Sequence, residues 1–284
     1  MTDASLDAAY AQCDTALRES DRDRWLACLF APQPLRRHLH ALYAFSFEIA
    51  RVRDIVSDPR MGEIRFQWWR DVVSGEGAGQ AAGHPVAMAL IDTIERFRLP
   101  RAAFLALIDA RTFDLYDDPM PTLRDVEGYC GETASALMRL AALVLANGDD
   151  PGGADAAGHG GVAYALTGLL RALPWHTARG QVFLPADVLA RHGVVREDLL
   201  AARVTPQLRA ALADLRAIAR DHAGRAFAAA SAMQTQARVA LLPTALAPAY
   251  CRAMERAGYD PFRRLVELPQ WRRQWILWRA ARGL

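Results

Sequence analysis

The sequence predicts an all-α fold, and three observations carry that reading. Apolar residues recur at steps of three and four along most of the chain, the spacing of a helix face. The alternation of β-branched residues that marks strands is nearly absent. The breaks fall at clusters of proline and glycine. At 284 residues and 52% hydrophobic, the chain can bury a sizeable core. No composition shift and no solenoid-length repeat divides it, so one domain over 1–284 is expected, with a loosely packed helix at 1–20.

The elements follow in order. Segment 4–19 reads as the first helix, and Asp21 caps a second over 22–30. Pro32 and Pro34 break the chain, and a long helix over 35–57 stops at Pro59. "MGEIRFQWWRDVVSG" forms another, ending near Gly75, and "SGEGAGQAAGH" is a flexible loop. Further helices are expected near 84–98, 101–115, 122–146, 152–173, 205–231, 243–257 and 270–281. Thr122 can cap the 122–146 helix together with Asp125.

Charge is nearly balanced, 34 basic against 32 acidic residues, which argues against a protein held on nucleic acid by bulk charge. The basic charge is carried almost entirely by arginine, which suits forked contacts to carboxylate or phosphate. The four cysteines are scattered without metal spacing and read as buried, reduced thiols. The N-terminal residues lack the apolar core of a secretory signal, and "ALMRLAALVLANG" is too short to span a bilayer. A cytoplasmic protein is expected, placed peripherally at the inner membrane.

Several clusters are candidates for a site. In "YAFSFEIARVRDIVSDP", Phe47, Arg51, Asp54 and Asp58 would share one face of a continuous helix. The bland alternative is an exposed salt-bridged stripe, but charge on a helix this apolar needs partners or a cavity. In "RFQWWRD", Trp68 and Trp69 serve the core or a site equally well. In "GLLRALPWHTARGQVFLP", His176 is flanked by Arg171 and Arg179. In "WRRQWILWRAARGL", Trp271, Trp275 and Trp278 share a face. Such a stripe more often docks into the core than lies on a membrane.

These stretches, in this order, resemble the squalene/phytoene synthase family from about Trp25 to Arg279. "PQPLRRHLHALYAF" is similar to the approach to the family's first aspartate-rich motif. "YCGETASALMRLAALVL" is similar to its Tyr-Cys helix, and "GLLRALPWHTARGQVFLP" to its second aspartate-rich motif. The resemblance implies a single-domain, isoprenoid synthase-like helical bundle around a central apolar cavity. In the family, two aspartate-rich helices hold Mg²⁺ at the mouth, and the ions bind prenyl diphosphates that condense head to head. The chemical need is clear, because hard cations held by carboxylates neutralise a departing diphosphate.

The departures from the motifs shape the expectation. Against the family's Asp-Asp-x-x-Asp stands Arg53-Asp54-Ile55-Val56-Ser57, with Asp58 displaced by one residue. In the second motif, Ala172 and His176 stand where the resemblance implies aspartates. On this reading no catalytic residue and no metal site remain, and no cofactor is expected. Pro174 can end the helix and disturb the four-residue spacing between Ala172 and His176. Arg53, Arg171, His176 and Arg179, with Tyr43 and Trp68, are the ligand-binding candidates, as a metal-free anion site. The same stretches resemble most closely the non-catalytic branch of complex I assembly factors. That implies a pseudoenzyme that binds an isoprenoid or lipid-like ligand, or respiratory-complex assembly partners. The alternatives are an active head-to-head prenyltransferase acting on farnesyl or geranylgeranyl diphosphate, which would need Mg²⁺, and a plain helical scaffold.

Overall fold

The computed structural model describes residues 3–76, 78–263 and 265–284. The chain is a helical bundle, and among the described residues no strand forms. The helices are α1 Asp3–Ser20, α2 Arg22–Cys28, α3 Gln33–Ala50, α4 Val52–Ile55, α5 Pro59–Ser74, α6 Ala78–Ala81, α7 Pro85–Phe97 and α8 Arg101–Thr112. They continue as α9 Leu123–Cys130, α10 Ala136–Leu145, α11 Ala154–Arg171, α12 Leu173–Ala178, α13 Ala186–Arg191, α14 Arg196–Leu200, α15 Pro206–Ala228, α16 Ala247–Ala253 and α17 Gln270–Gly283. The short helices α13 and α14 were not read from the sequence. The segment expected to be a loop before α7 contains the single turn α6, and residue 77 lies outside the described residues.

The core has two lobes. One gathers Leu17, Leu42, Phe45, Leu90, Phe104 and Leu140 from α1, α3, α7, α8 and α10. The other gathers Leu166, Leu215, Leu246, Tyr250 and Leu277 around α11, α15, α16 and α17. Trp25, Val239 and Leu284 pack against both lobes and join them. Helix α11 crosses the middle. A Cβ added at Gly161 would lie 2.3 Å from the Ser135 backbone, so only glycine permits this approach.

Two caps stand as the sequence predicts. The Asp21 carboxylate accepts from the Arg24 N–H at 3.0 Å, and Thr122 with Asp125 forms a capping box at α9. Other expectations are corrected. The first helix is not loosely packed, because Tyr10, Cys13 and Leu17 are buried, and the Tyr10 hydroxyl meets His38 Nδ1 at 2.9 Å. The 35–57 helix ends at Ala50 and resumes as the single turn α4. Pro59 holds Asp58 extended, so Asp58 caps α5 instead of sharing a face with Arg51 and Asp54. The 122–146 helix is interrupted by a π turn over Gly131–Ser135. The 243–257 helix begins as a 3₁₀ segment, Thr235–Leu246, that carries Pro243.

Helix α17 is turned the opposite way to expectation. Its inward face carries Arg273, Ile276, Leu277, Ala280 and Ala281, at steps of three, one, three and one. Trp271, Trp275 and Trp278 face out. On the inward face Arg273 Nε lies 3.2 Å from the buried Asp23 carboxylate, which also accepts from the Tyr250 hydroxyl at 2.6 Å.

Candidate functional site

The segments 53–58 and 171–179 meet at one junction. The Asp54 carboxylate forms an ion pair with the Arg179 guanidinium. Both side chains keep substantial exposure, so the pair adds little stability. Its importance is that it engages Asp54, while the other carboxylate of the segment, Asp58, is occupied as the cap of α5. Arg53 is half-buried with no partner for its Nε, and Ser57 lies exposed in a bend outside any helix. Positions 53 and 57, the first and last of the motif, therefore do not share a helical turn; Asp54 is the residue that reaches the second motif.

Helix α11 ends at Arg171, ahead of Pro174, as the sequence suggested. The spacing nevertheless survives: the His176 N–H donates to the Ala172 carbonyl at 3.1 Å, an i to i−4 bond that carries one helical turn past the proline. The His176 ring packs on Phe183, with centroids 4.6 Å apart. Burial, and then the nearby Arg111 charge, pushes the imidazole down to about 4. His176 is thus neutral at physiological pH and offers no cation to an anionic ligand.

Arg111 belongs to a network that sequence reasoning missed. It donates to Asp114 Oδ2 at 2.9 Å and to the Tyr129 hydroxyl at 2.7 Å. That hydroxyl donates to Asp114 Oδ1 at 2.7 Å, and Gln181 Nε2 donates to the Asp114 carbonyl at 2.7 Å. Burial disfavours the Arg111 charge, but Tyr129 and Asp114 more than offset it, so the group stays protonated. Its Nε has no partner. The only signal in the sequence was the Arg111 and Asp114 pair at i, i+3. The network fastens α8 and α9 to the segment after α12, directly behind His176.

Three of the expected ligand residues lie elsewhere. Arg171 stacks on Tyr250 at 3.7 Å, donates to the Val266 carbonyl at 3.0 Å and faces Asp23 at 3.7 Å. It therefore lines a polar cleft of about 480 Å³ with Asp21, Asp23, Tyr164 and Arg273. The step from Arg171 to His176 spans more than one turn, so the two side chains part. Tyr43 is buried against Arg24, whose guanidinium also lies over Tyr164, at 5.0 and 4.6 Å. Trp68 packs on Trp69 and His84, with centroids 4.9 and 5.2 Å away.

The donor set at the junction does not fit a magnesium ion. Such an ion asks for near-octahedral hard oxygen ligands, usually one or two carboxylates. Asp54 is engaged by Arg179, Ala172 has no donor, and a neutral imidazole is a poor ligand for so hard an ion. Among the described residues, no three His, Cys, Asp or Glu side chains converge as a metal site.

An all-helical bundle that brings two such motifs together at one junction has the architecture of the isoprenoid synthases. The chain belongs to the squalene/phytoene synthase family, whose model matches residues 17–279. It is 34% identical to NADH dehydrogenase (ubiquinone) complex I, assembly factor 6 of Rattus norvegicus, covering 89% of this chain and 76% of that protein. It is 29% identical to the phytoene synthase of Thermus thermophilus, covering 98% and 94%. Among solved structures, squalene synthase HpnC from Alicyclobacillus acidocaldarius superposes with a TM-score of 0.76 at 25% identity, over 92% of this chain and 98% of that one. A dehydrosqualene synthase in complex with ligand superposes with a TM-score of 0.81 at 20% identity, over 96% and 95%. The protein therefore combines the squalene/phytoene synthase fold with close similarity to complex I assembly factor 6.

Proposed function

We propose that this protein is a non-catalytic member of its family that serves the assembly of respiratory complex I. It works peripherally at the inner membrane and uses its interior for an isoprenoid or lipid-like ligand. One observation carries the reading: the junction of the two motifs holds an Asp54–Arg179 ion pair, an alanine and a neutral histidine. A departing diphosphate needs concentrated positive charge, and this junction offers the single guanidinium of Arg53 beside a pair that neutralises itself. The similarity to complex I assembly factor 6 supplies the partner class. The similarity to a phytoene synthase over nearly the whole chain favours head-to-head prenyl transfer as the second reading.

Two measurements test this. Purified protein incubated with farnesyl or geranylgeranyl diphosphate and Mg²⁺ should release no diphosphate. Release that disappears in Asp54→Ala would establish the second reading instead. Membranes from a strain lacking the protein should lose rotenone-sensitive NADH oxidation while succinate oxidation is kept. Unchanged NADH oxidation would remove the assembly role.

A further inference from the structure

We infer that the outward face of α17 is a docking surface for an anionic lipid bilayer. This rests on the peripheral placement proposed above and not on the assembly role. Trp271, Trp275 and Trp278 are 68%, 54% and 39% exposed, although the inward face of the same helix packs on the core through buried Arg273 and Leu277 and partly buried Ile276, Ala280 and Ala281. They form one stripe at steps of four and three, and Trp275 stacks on Trp278 with centroids 5.1 Å apart. Among the described residues none of the three indole N–H groups has a hydrogen-bond partner. Arg279 and Arg282 flank the stripe on the exposed side, and Arg282 lies over the Trp278 ring at 4.1 Å. Residues 270–283 contain no acidic residue. Among the described residues, Arg273 is the arginine of α17 that pairs with carboxylates, Asp23 and Glu267, and it is buried.

Indole rings combine an apolar body with a polar edge and settle at the headgroup level of a bilayer. Arginines beside them draw anionic lipid, with each contributing about fivefold in partitioning. Because the inner face is held by the core, the helix can only lie along the surface, with its aromatic side in the interface. Charge decides against a second copy of the chain. Pairing this face across a twofold axis would set arginines opposite arginines.

The test is co-sedimentation of the full chain with vesicles of phosphatidylcholine alone and of phosphatidylcholine mixed with phosphatidylglycerol. The protein should bind the anionic vesicles, with binding weakened by salt. Trp271→Ala/Trp275→Ala/Trp278→Ala should lower the partition coefficient at least about tenfold, with an unchanged circular dichroism spectrum. Arg279→Gln/Arg282→Gln leaves the aromatic stripe intact and serves as a second variant, with a loss of about fivefold per arginine. If both variants bind as the parent does, the docking surface is wrong while the peripheral placement stands. If the parent ignores anionic vesicles, both fall. Equal binding to neutral vesicles, or self-association abolished by the tryptophan changes, would also overturn the proposal.

Discussion

His176 shows how one side chain can report on its surroundings. Burial and the Arg111 charge hold its pKa near 4, whereas an unfolded histidine titrates near ~6.5. Between those values the unfolded chain binds a proton that the folded chain refuses. Stability from this group is therefore complete above about pH 6.5 and is lost as the pH falls toward 4. The contribution is at most about 3.5 kcal/mol, since each unit is worth about 1.4. His38, also buried and held near 4, titrates in the same window, so the parent protein alone does not isolate His176. His176→Phe keeps a ring against Phe183 and removes the proton site. Its urea midpoint should fall less steeply than the parent's between neutral pH and pH ~4.5. Parallel slopes would show that His176 is not held neutral. None of this was visible in the sequence, where His176 was a lone histidine between arginines. Its neutrality comes first from burial and then from Arg111, which is distant in sequence and tied to Asp114 and Tyr129.

At the scale of an element, periodicity shows which residues share a face and leaves open which face turns inward. Helix α17 has an aromatic stripe and an aliphatic one, and the large area of the tryptophans predicts that they are buried. The structure buries the aliphatic stripe, Ile276, Leu277, Ala280 and Ala281, and with it Arg273, which meets Asp23 of α2. The capping signals were legible because they are local: Asp21 and Thr122 each act within three residues. The break at Ala50 and the π turn at Gly131–Ser135 were hidden inside apolar runs that continue through them. The Asp23 anchor gives a direct prediction. Asp23→Ala leaves Arg273 buried with only the exposed Glu267 carboxylate at 3.7 Å, leaves Arg171 with a carbonyl and the Tyr250 ring, and removes the acceptor of the Tyr250 hydroxyl. Breaking a buried pair from one side costs about 3–5 kcal/mol. Chemical denaturation should show a loss of that order, and hydrogen exchange should rise first in α17. A loss under about 1 kcal/mol would mean the pair acts like a surface ion pair.

For the whole molecule, the sequence carried the order of helices and the meeting of two motifs, because both follow from local pattern and family resemblance. It could not show how the side chains meet, since that depends on the relative rotation of α4, α11 and α12. Arg179 reaches Asp54, while Arg171 turns away into the cleft beside α17. The same geometry says what would return a cation site to the junction. The helical turn between positions 172 and 176 is intact, so two carboxylates placed there would share a face at the spacing a carboxylate pair needs. Asp54 reaches the same segment through its pair with Arg179, its ion-pair partner among the described residues. Ala172→Asp/His176→Asp/Arg179→Ala therefore assembles three carboxylates from two segments and frees the third from its partner. Calorimetry should detect Mg²⁺ binding to this variant and much weaker binding to the parent. At Mg²⁺ about 100-fold above the dissociation constant, the variant's stability should rise by about 2.7 kcal/mol. Arg179→Ala alone should gain little, because one free carboxylate does not make an octahedral site. If the triple variant binds no better than the parent, α4 and α12 lie too far apart at this junction to share an ion. The Asp54–Arg179 pair would then be an ordinary surface contact and not the replacement for a lost metal site.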